Sequence, residues 1–541
     1  MLSTVDYLIL AGYLLATLGI GFWSARRSRA SARDFFVAEK TLPWWVVGLT
    51  MVAASISAEQ MLGEVGYGLD AGLVVSNWDL GVYPSVVLMV LVFLPVYLRS
   101  GITTIPEYLE QRYNPATRLL FSLYTVFNNA CVTLVMVLAL GAAALKYFVG
   151  LPPLGGILFL AAFTGLYTVI GGMSSVAWTD TFQCVLLLAG GLLVFGVGLA
   201  QVPGGWAGLL ERLPEPHLIR GLGDGCLPWP GLVLLALSTN VWYCCTNQFY
   251  VQACLGARDR WHAQMGVLLT GLLGPVLTLC CAFPGYIASD LLRHGLLAPL
   301  PGAGGTPDAN ATLPHLVQQF LGPGLRGFVV AGVLAAIMST VSSVVNATAS
   351  VFTVDVYRRW FRPGATEERL VGIGRWAGIL TLVVASPLAL VALKYRYIFV
   401  YSQNAWCILA IPIMLAFTLG ALWKRATATA ATVTFLFVLP FVAVPFVLGD
   451  NSWLTVPGLG VRMHLFTFAA CLWVVAACVM VAVSLLSRPA DPERIAACLW
   501  RPGLDRFEGG AGAPYRVAYR RVGVWCVVIG LVYAAIYARF W

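Results

Sequence analysis

Residues 53–60 of the chain read AASISAEQ and lie inside an apolar run that extends from Trp44 to about Tyr67. A helix that crosses a bilayer has no water with which to satisfy hydroxyls, a carboxylate and an amide. Close packing of small residues explains the serines. It does not explain Glu59 and Gln60, because a charge at mid-membrane costs roughly 2.5–3.5 kcal/mol on insertion scales. The stretch therefore predicts a membrane helix that lines a polar cavity or an ion site.

The composition of the whole chain is that of a membrane protein. Of its 541 residues, 59% are hydrophobic and only 11% are charged, whereas a soluble domain is about 25% charged. Long apolar stretches recur along the chain, which indicates an all-α polytopic membrane protein. The net charge of +9 fits basic cytoplasmic loops, so no nucleic-acid partner is expected.

The apolar stretches predict about fourteen spans, each near the 20 residues that a bilayer requires. They fall at 5–24, 44–67, 74–98, 119–148, 155–173, 178–200, 229–250, 265–290, 327–355, 371–393, 397–420, 427–448, 464–487 and 522–540. Most of the 33 basic residues then lie on one side, which the positive-inside rule makes cytoplasmic. Both termini are predicted to be extracytoplasmic, together with two long loops at 201–228 and 291–326. The second loop contains a glycosylation sequon at Asn310.

A second polar segment, STNVWYCCTNQ at residues 238–248, lies in the seventh predicted span. Five spans separate it from the first polar segment. In secondary transporters, interrupted helices at corresponding positions of two halves form the binding site, where unwound backbone offers carbonyls to a cation. The pair therefore favours a transporter.

The ninth span reads AAIMSTVSSVVNATAS over residues 335–350. Ser339, Ser342, Ser343 and Asn346 share roughly one helix face at this spacing. Hydroxyl oxygens suit a hard cation, although serine and threonine hydroxyls can instead bond back to helix carbonyls. Asp180, at the start of the sixth span, could join a cation site or simply cap its helix.

Together these segments resemble the sodium/solute symporter family, particularly the sodium/glucose and sodium/galactose cotransporters. The matching motifs are WWVVG, ISAEQ, FLPVYLRSGITTIPEYLEQRY, GGMSSVAWTDTFQ, LPWPG, NVWYCCTNQ, LRGFVVAGVLAAIMSTVSSVVNATASVFTVDVY and LWKR. The resemblance implies a leucine-transporter-type fold with two inverted five-helix repeats at 44–200 and 229–420. One extra helix at 5–24 and further helices at 427–541 would flank the repeats in a single transporter domain.

The resemblance also implies sodium sites. The first would use backbone carbonyls of Ala53, Ile56 and Ala336 and the hydroxyls of Ser339 and Thr340. A second site, seen in some members, would use Asp180, Ser339, Ser342 and Ser343. All four polar residues of that pattern are present, which favours two sodium ions, with one ion as the alternative.

The pattern of the sugar-binding members matches in part. Gln60, Asn240, Tyr243 and Gln403 occupy positions that bind hydroxyls or close the inner gate, and Phe399 would belong to the outer gate. Three positions depart from that pattern: Asp79 replaces a glutamate, Ser55 an asparagine, and Gly274 a lysine that bonds a sugar hydroxyl. These departures put glucose and galactose in doubt and leave room for inositol or another sugar.

The sequence thus predicts a sodium-coupled symporter in the plasma or inner membrane that imports a small neutral polyhydroxylated solute. An alternative is sodium symport of another solute, such as a carboxylate, sialic acid or an amino acid. A second alternative is a sugar sensor that binds without useful transport. An enzyme is not expected, because the sequence shows no nucleophile–base pair and no metal-ligand cluster.

Overall fold

The computed structural model describes residues 2–27, 35–36, 38–212, 216–303, 306–395, 398–448, 453–455, 462–501 and 521–541. In the first half, helical segments run over Thr4–Arg27, Ala38–Lys40, Trp44–Ser55, Glu59–Glu64, Val65–Ala71, Gly72–Ser76, Asn77–Leu80, Tyr83–Leu88, Met89–Phe93, Leu94–Ser100, Ile105–Arg112, Pro115–Asn128, Asn129–Thr133, Leu134–Val149, Pro153–Gln201, Gly205–Arg212, Trp229–Leu234, Leu235–Thr239, Trp242–Thr246 and Gln248–Leu255. In the second half they run over Arg260–Cys281, Phe283–Arg293, Ala309–Ala311, Thr312–Phe320, Leu325–Val351, Phe352–Phe361, Glu367–Ala392, Ile398–Leu422, Ala428–Val438, Leu439–Ala443, Val444–Leu448, Leu465–Leu486, Pro492–Ile495, Ala496–Cys498 and Val522–Arg539. Two short antiparallel hairpins pair Gly302–Ala303 with Thr306–Pro307 and Trp453–Thr455 with Arg462–His464.

Each of the fourteen predicted spans coincides with helix in the described residues. By length and composition, ten helical runs there could cross a membrane. The numbers differ because two of these runs, Glu59–Ser100 and Pro153–Gln201, each hold more than one predicted span. The predicted spans at 229–250 and 427–448 are instead built from shorter helical pieces.

Gly172 divides the longest of these runs. Helix continues from Pro153 to Gln201, but Gly172 has φ 60° and ψ −157°, which is not helical. Glycine adopts positive φ without a Cβ penalty. A Cβ here would also lie only 2.6 Å from the carbonyl oxygen of Phe35. The two predicted spans on either side of Gly172 are therefore separate helices that meet at a kink.

Two helices are broken inside the membrane region, as the polar segments predicted. The first broken helix consists of Trp44–Ser55 and Glu59–Ala71, joined through Ile56, whose ψ of 118° is extended. The second consists of Trp229–Thr246 and Gln248–Leu255, joined through Asn247, whose ψ of 126° is also extended. The second break lies beyond Asn240, towards the end of the polar segment. Each break frees backbone carbonyls and helix ends within the protein interior.

The first broken helix packs closely against the helix Arg260–Cys281, which we call the proline helix because it contains Pro275. A Cβ at Gly48 would lie 2.8 Å from the carbonyl oxygen of Gly266. Only a small residue permits this backbone approach, which is typical of helix contacts in membranes.

A buried ion cluster lies near the predicted cytoplasmic ends of the helices. Arg118 donates to Asp355 at 2.7 Å and to Glu110 at 2.7 Å, and it pairs with Glu107 at 3.3 Å. Asp355 is fully buried and also accepts from Thr104 at 2.8 Å. The cluster ties the helices Ile105–Arg112 and Pro115–Asn128 to the segment Phe352–Phe361.

Both ends of the chain lie beside the loops predicted to be extracytoplasmic. The Asp6 carboxylate accepts from the backbone N–H of Gly324 at 2.7 Å. At the other end, the carbonyl of Phe540 accepts from the N–H of Leu218 at 2.8 Å. Within the second of these loops, the Asn310 side chain is buried and donates to Asp308 at 3.0 Å, so the sequon amide is not exposed for glycosylation in this conformation.

Candidate functional site

The first predicted sodium site is assembled at the break of the first broken helix. The Ser339 hydroxyl lies 2.8 Å from the carbonyl oxygen of Ala53 and 3.0 Å from that of Ala336. The Thr340 hydroxyl lies 3.3 Å from the carbonyl oxygen of Ile56 and 3.2 Å from that of Ala336. All five predicted ligand residues therefore meet at one place, between the first broken helix and the serine-rich helix Leu325–Val351.

Local chemistry explains why these carbonyls are available. The extended conformation of Ile56 ends the helix, so the carbonyl of Ala53 loses its regular helical donor. That donor would be the N–H of Ser57, which instead bonds the Gln60 side-chain oxygen at 2.9 Å. Carbonyl and hydroxyl oxygens together form a hard donor set, which suits a hard cation such as sodium.

The second predicted sodium site lies one turn further along the serine-rich helix. Asp180 is completely buried and accepts from the hydroxyl of Ser342 at 3.2 Å and from that of Ser343 at 2.8 Å. Ser342 also donates to the backbone carbonyl of Ser339 at 2.8 Å. Asp180 is held by side chains of a different helix, so it is not merely a helix cap. A buried carboxylate among hydroxyls can compensate the charge of one cation.

A cavity lies beside the first predicted sodium site. Six of the seven predicted solute-binding residues line it: Ser55, Gln60, Asp79, Asn240, Tyr243 and Gln403. They come from both broken helices, from the segment that follows the first of them, and from the helix Ile398–Leu422. Two residues of the first site's break, Ser55 and Ile56, also line the cavity. The cation site and the cavity therefore share one segment of unwound backbone.

Several polar side-chain atoms of the cavity-lining residues have no hydrogen-bond partner among the residues that the structure describes. They are the amide nitrogen of Asn240, one carboxylate oxygen of Asp79, the hydroxyl of Thr239 and the indole nitrogen of Trp78. Buried polar groups are normally hydrogen-bonded, because an unmet partner costs about 1–3 kcal/mol. The cavity-lining residues that carry these unmet groups are therefore candidates to bond a polar ligand.

Two aromatic clusters lie at the cavity. On the predicted outer side, Phe399 packs against Trp78 with ring centroids 5.5 Å apart and against Tyr67 at 6.0 Å. On the predicted inner side, Tyr243 contacts Tyr250 at 5.6 Å and Trp406 at 6.2 Å. Phe399 belongs to the first cluster and is not one of the cavity-lining residues. Its position fits the predicted outer gate, a role that stays a prediction, as do the other assigned site roles.

The structure also shows contacts at the site for residues that the sequence analysis did not assign to it. Glu59 is buried and accepts from the Gln403 amide at 2.7 Å and from the Ser402 hydroxyl at 2.9 Å. It thereby orients a predicted solute-binding side chain. The sequence feature that marks Glu59 is its charge in the middle of a predicted membrane span. No comparable signal marked the aromatic lining residues Trp78 and Trp406, since aromatic residues are spread throughout the chain.

A profile of the sodium:solute symporter family matches residues 35–437. This chain belongs to the sodium:solute symporter family. The match contains the first broken helix, both predicted sodium sites and every residue that lines the cavity. The family resemblance inferred from the sequence is confirmed.

Named relatives of this symporter-family chain include carriers of sugars and of inositol. It is 31% identical over 462 residues to a sodium/glucose cotransporter of Vibrio parahaemolyticus, covering 81% of this chain and 84% of the relative. It is 29% identical to sodium/glucose cotransporter 2 of Rattus norvegicus, covering 91% of this chain and 80% of the relative. Sodium/myo-inositol cotransporter 2 of the same species is 30% identical, with coverages of 80% and 68%.

The fold of this family member agrees with a solved structure. A Na⁺-coupled sialic acid symporter in a substrate-bound outward-open state superposes with a TM-score of 0.77. The superposition covers 90% of this chain and 99% of that one at 21% sequence identity. The predicted fold class, a helical membrane protein of the leucine-transporter type, is thereby confirmed. The exact repeat boundaries at 44–200 and 229–420 stay predictions.

Proposed function

We propose that this protein is a sodium-coupled symporter that imports a small neutral polyhydroxylated solute, such as glucose, galactose or an inositol. The observation that carries the proposal is the set of unpartnered polar atoms in the cavity wall. Asn240 and Trp78 offer N–H donors there, Asp79 offers an acceptor, and the Thr239 hydroxyl can do either. A sugar or inositol hydroxyl both donates and accepts, so a ring of hydroxyls complements such a mixed set.

The charges of the cavity wall argue against an acidic solute. None of the described residues that line the cavity is a lysine, an arginine or a histidine. Carboxylates are recognised best by the forked donors of arginine or by another cation. A solute carboxylate would also face Asp79. The relatives named as glucose and myo-inositol cotransporters support the same solute class.

The shared backbone segment supports coupling between the ion and the solute. A sodium ion at the carbonyls of Ala53 and Ile56 would hold the break of the first broken helix in one conformation. Ser55 and Gln60 on that segment would then be fixed in the cavity wall, where they contribute to solute binding. By linkage, the solute would raise the affinity for sodium by the same factor. In the alternating-access cycle that we propose, the outer and inner aromatic clusters open in turn.

The driving force follows from the ion count. Each ion that enters through about 100 mV yields about 2.3 kcal/mol, and an about tenfold sodium gradient adds about 1.4 kcal/mol. One ion therefore supports roughly 500-fold accumulation and two support roughly the square of that ratio. Both termini lie on the extracytoplasmic side in this proposal, and transport runs inward across the cell membrane.

Uptake into proteoliposomes with an inward sodium gradient tests the proposal. The labelled solutes are D-glucose, D-galactose, myo-inositol, sialic acid and proline, each measured with and without sodium. Sodium-dependent uptake of a neutral polyol is the expected result. Uptake of sialic acid or proline alone would overturn the solute class and keep the symporter. Solute binding without flux of any solute would instead indicate a sensor.

A further inference from the structure

The last helix of the chain, Val522–Arg539, lies directly behind the solute cavity. We call it the terminal helix. Its Tyr533 is 3% exposed, and the ring stacks on Tyr83 with centroids 5.1 Å apart. Tyr83 in turn donates to the carbonyl of Cys526 on the terminal helix at 2.7 Å. The terminal helix is thus held against the segment Tyr83–Leu88, which follows the segment that carries Asp79.

The Tyr533 hydroxyl fills a gap in the proline helix. Pro275 has no N–H, so the carbonyl of Gly271, four residues earlier, lacks its helical donor. The hydroxyl of Tyr533 donates to this carbonyl at 2.9 Å. The terminal helix therefore supplies a hydrogen bond that the proline helix cannot make for itself.

Gly274 joins this contact to the solute cavity, because it is one of the cavity-lining residues. A Cβ at Gly274 would lie 2.0 Å from the Tyr533 hydroxyl oxygen but 3.3 Å from the ring carbon that bears it. The same Cβ would be 3.6 Å from the backbone oxygen of Asp79. Any side chain at position 274 therefore competes with one atom of Tyr533 for the same space.

Among the described residues, an apolar groove adjoins Tyr533. Tyr533 and Tyr83 line this groove together with Gly81, Leu232 and other residues of the neighbouring helices. The two rings and the bare backbone of Gly274 are consequently the partition between this groove and the polar cavity. The Tyr533 hydroxyl therefore lies directly behind the cavity-lining residue Gly274.

We propose that Tyr533 of the terminal helix is a specificity-determining residue, which sets the size of solute admitted at Gly274. This inference rests on the proposed function, since it concerns the selectivity of the same cavity. Tyr533 is not a cavity-lining residue itself. It acts through Gly274 and is therefore a positioning residue. The terminal helix is accordingly part of the solute site, although it lies outside both predicted repeats.

A double-mutant cycle tests the contact. Its four proteins are the wild type, Gly274→Ala, Tyr533→Phe and the double variant, assayed for sodium-dependent uptake of D-glucose and myo-inositol. Gly274→Ala alone is expected to lower uptake about tenfold, because the new methyl group displaces Tyr533. In the Tyr533→Phe background the same substitution should cost less than twofold, because the colliding oxygen is gone. If the fold-change in uptake of the double variant equals the product of the fold-changes of the two single variants, the inference is overturned.

Tyr533→Ala tests selectivity itself, with Tyr537→Ala as the matched control on the same helix. Tyr537 bonds Asn77 at 2.8 Å, and neither residue lines the cavity. Removing the Tyr533 ring should raise uptake of the O-methyl ether of the transported polyol, relative to the parent compound, by about tenfold. The control should leave this ratio within twofold. An unchanged ratio in a folded Tyr533→Ala protein would refute the specificity role.

The two proposals fail in different ways. If the wild type takes up none of D-glucose, D-galactose and myo-inositol, the proposed solute class fails. The contact between Tyr533 and position 274 is then tested by measuring the thermal unfolding midpoints of the same four proteins in detergent. Additive shifts of the midpoint would overturn the proposed contact. A Gly274→Ala midpoint that is restored by adding Tyr533→Phe would support it.

Discussion

Replacement of Ser339 by alanine tests the first sodium site most directly. The Ser339 hydroxyl reaches the carbonyl oxygens of both Ala53 and Ala336, on the two helices that form the site. Ser339→Ala removes one of five proposed oxygen ligands and leaves the backbone unchanged. The carbonyl oxygen of Ser339, which accepts from Ser342, is retained, so the predicted second site keeps that contact.

The magnitude follows from the contact that is lost. A hydrogen-bond-type contact to a charged group is worth about 1.5–3 kcal/mol, which corresponds to about 10- to 150-fold in affinity. Four of the five proposed oxygen ligands remain in the variant. We therefore expect the lower end of the range, an about tenfold rise in the sodium concentration for half-maximal uptake.

The assay is initial uptake of the transported polyol into proteoliposomes as external sodium is varied. Ser386→Ala is the matched control, because the Ser386 hydroxyl donates to the Leu382 carbonyl of its own helix, away from both sites. Its sodium curve should match the wild type. A folded Ser339→Ala protein with an unchanged sodium curve would refute the site as described.

Two further predictions concern the second site and the ion cluster. Asp180→Asn should keep the fold but lower the ion-to-solute ratio from two to one. Reversal potentials measure this ratio. A ratio unaffected by the substitution would exclude Asp180 as an ion ligand. Arg118→Gln should lower the free energy of unfolding by about 3–5 kcal/mol, because it leaves buried Asp355 without its cation. Arg359→Gln, the control, removes a partly exposed pair with Glu110 and should cost less than about 1 kcal/mol. Similar unfolding midpoints for both arginine variants would contradict this interpretation of the cluster.

The chain's hydropathy and charge pattern were enough to predict the membrane fold. Apolar runs of bilayer length specify helices wherever they are placed, since backbone groups in a membrane must be satisfied within the segment. Polar residues inside such runs are costly, and this is why AASISAEQ and STNVWYCCTNQ marked both broken helices. The predicted oxygen ligands around Ser339 and Asp180 followed from the family resemblance, whose motifs span long, ordered stretches.

The structure alone decided which distant segments share a wall. Gln403 meets Glu59, and Tyr533 meets Gly274, through contacts between residues hundreds of positions apart. Neither contact can be recognised from the periodicity or composition of the sequence, because each depends on how the helices cross and on where a residue has no side chain. The sequence shows that Pro275 breaks a hydrogen bond, but only tertiary packing determines which side chain replaces the missing donor. Hydropathy thus specifies the helices one by one, whereas the shape of the solute cavity is a property of their packing.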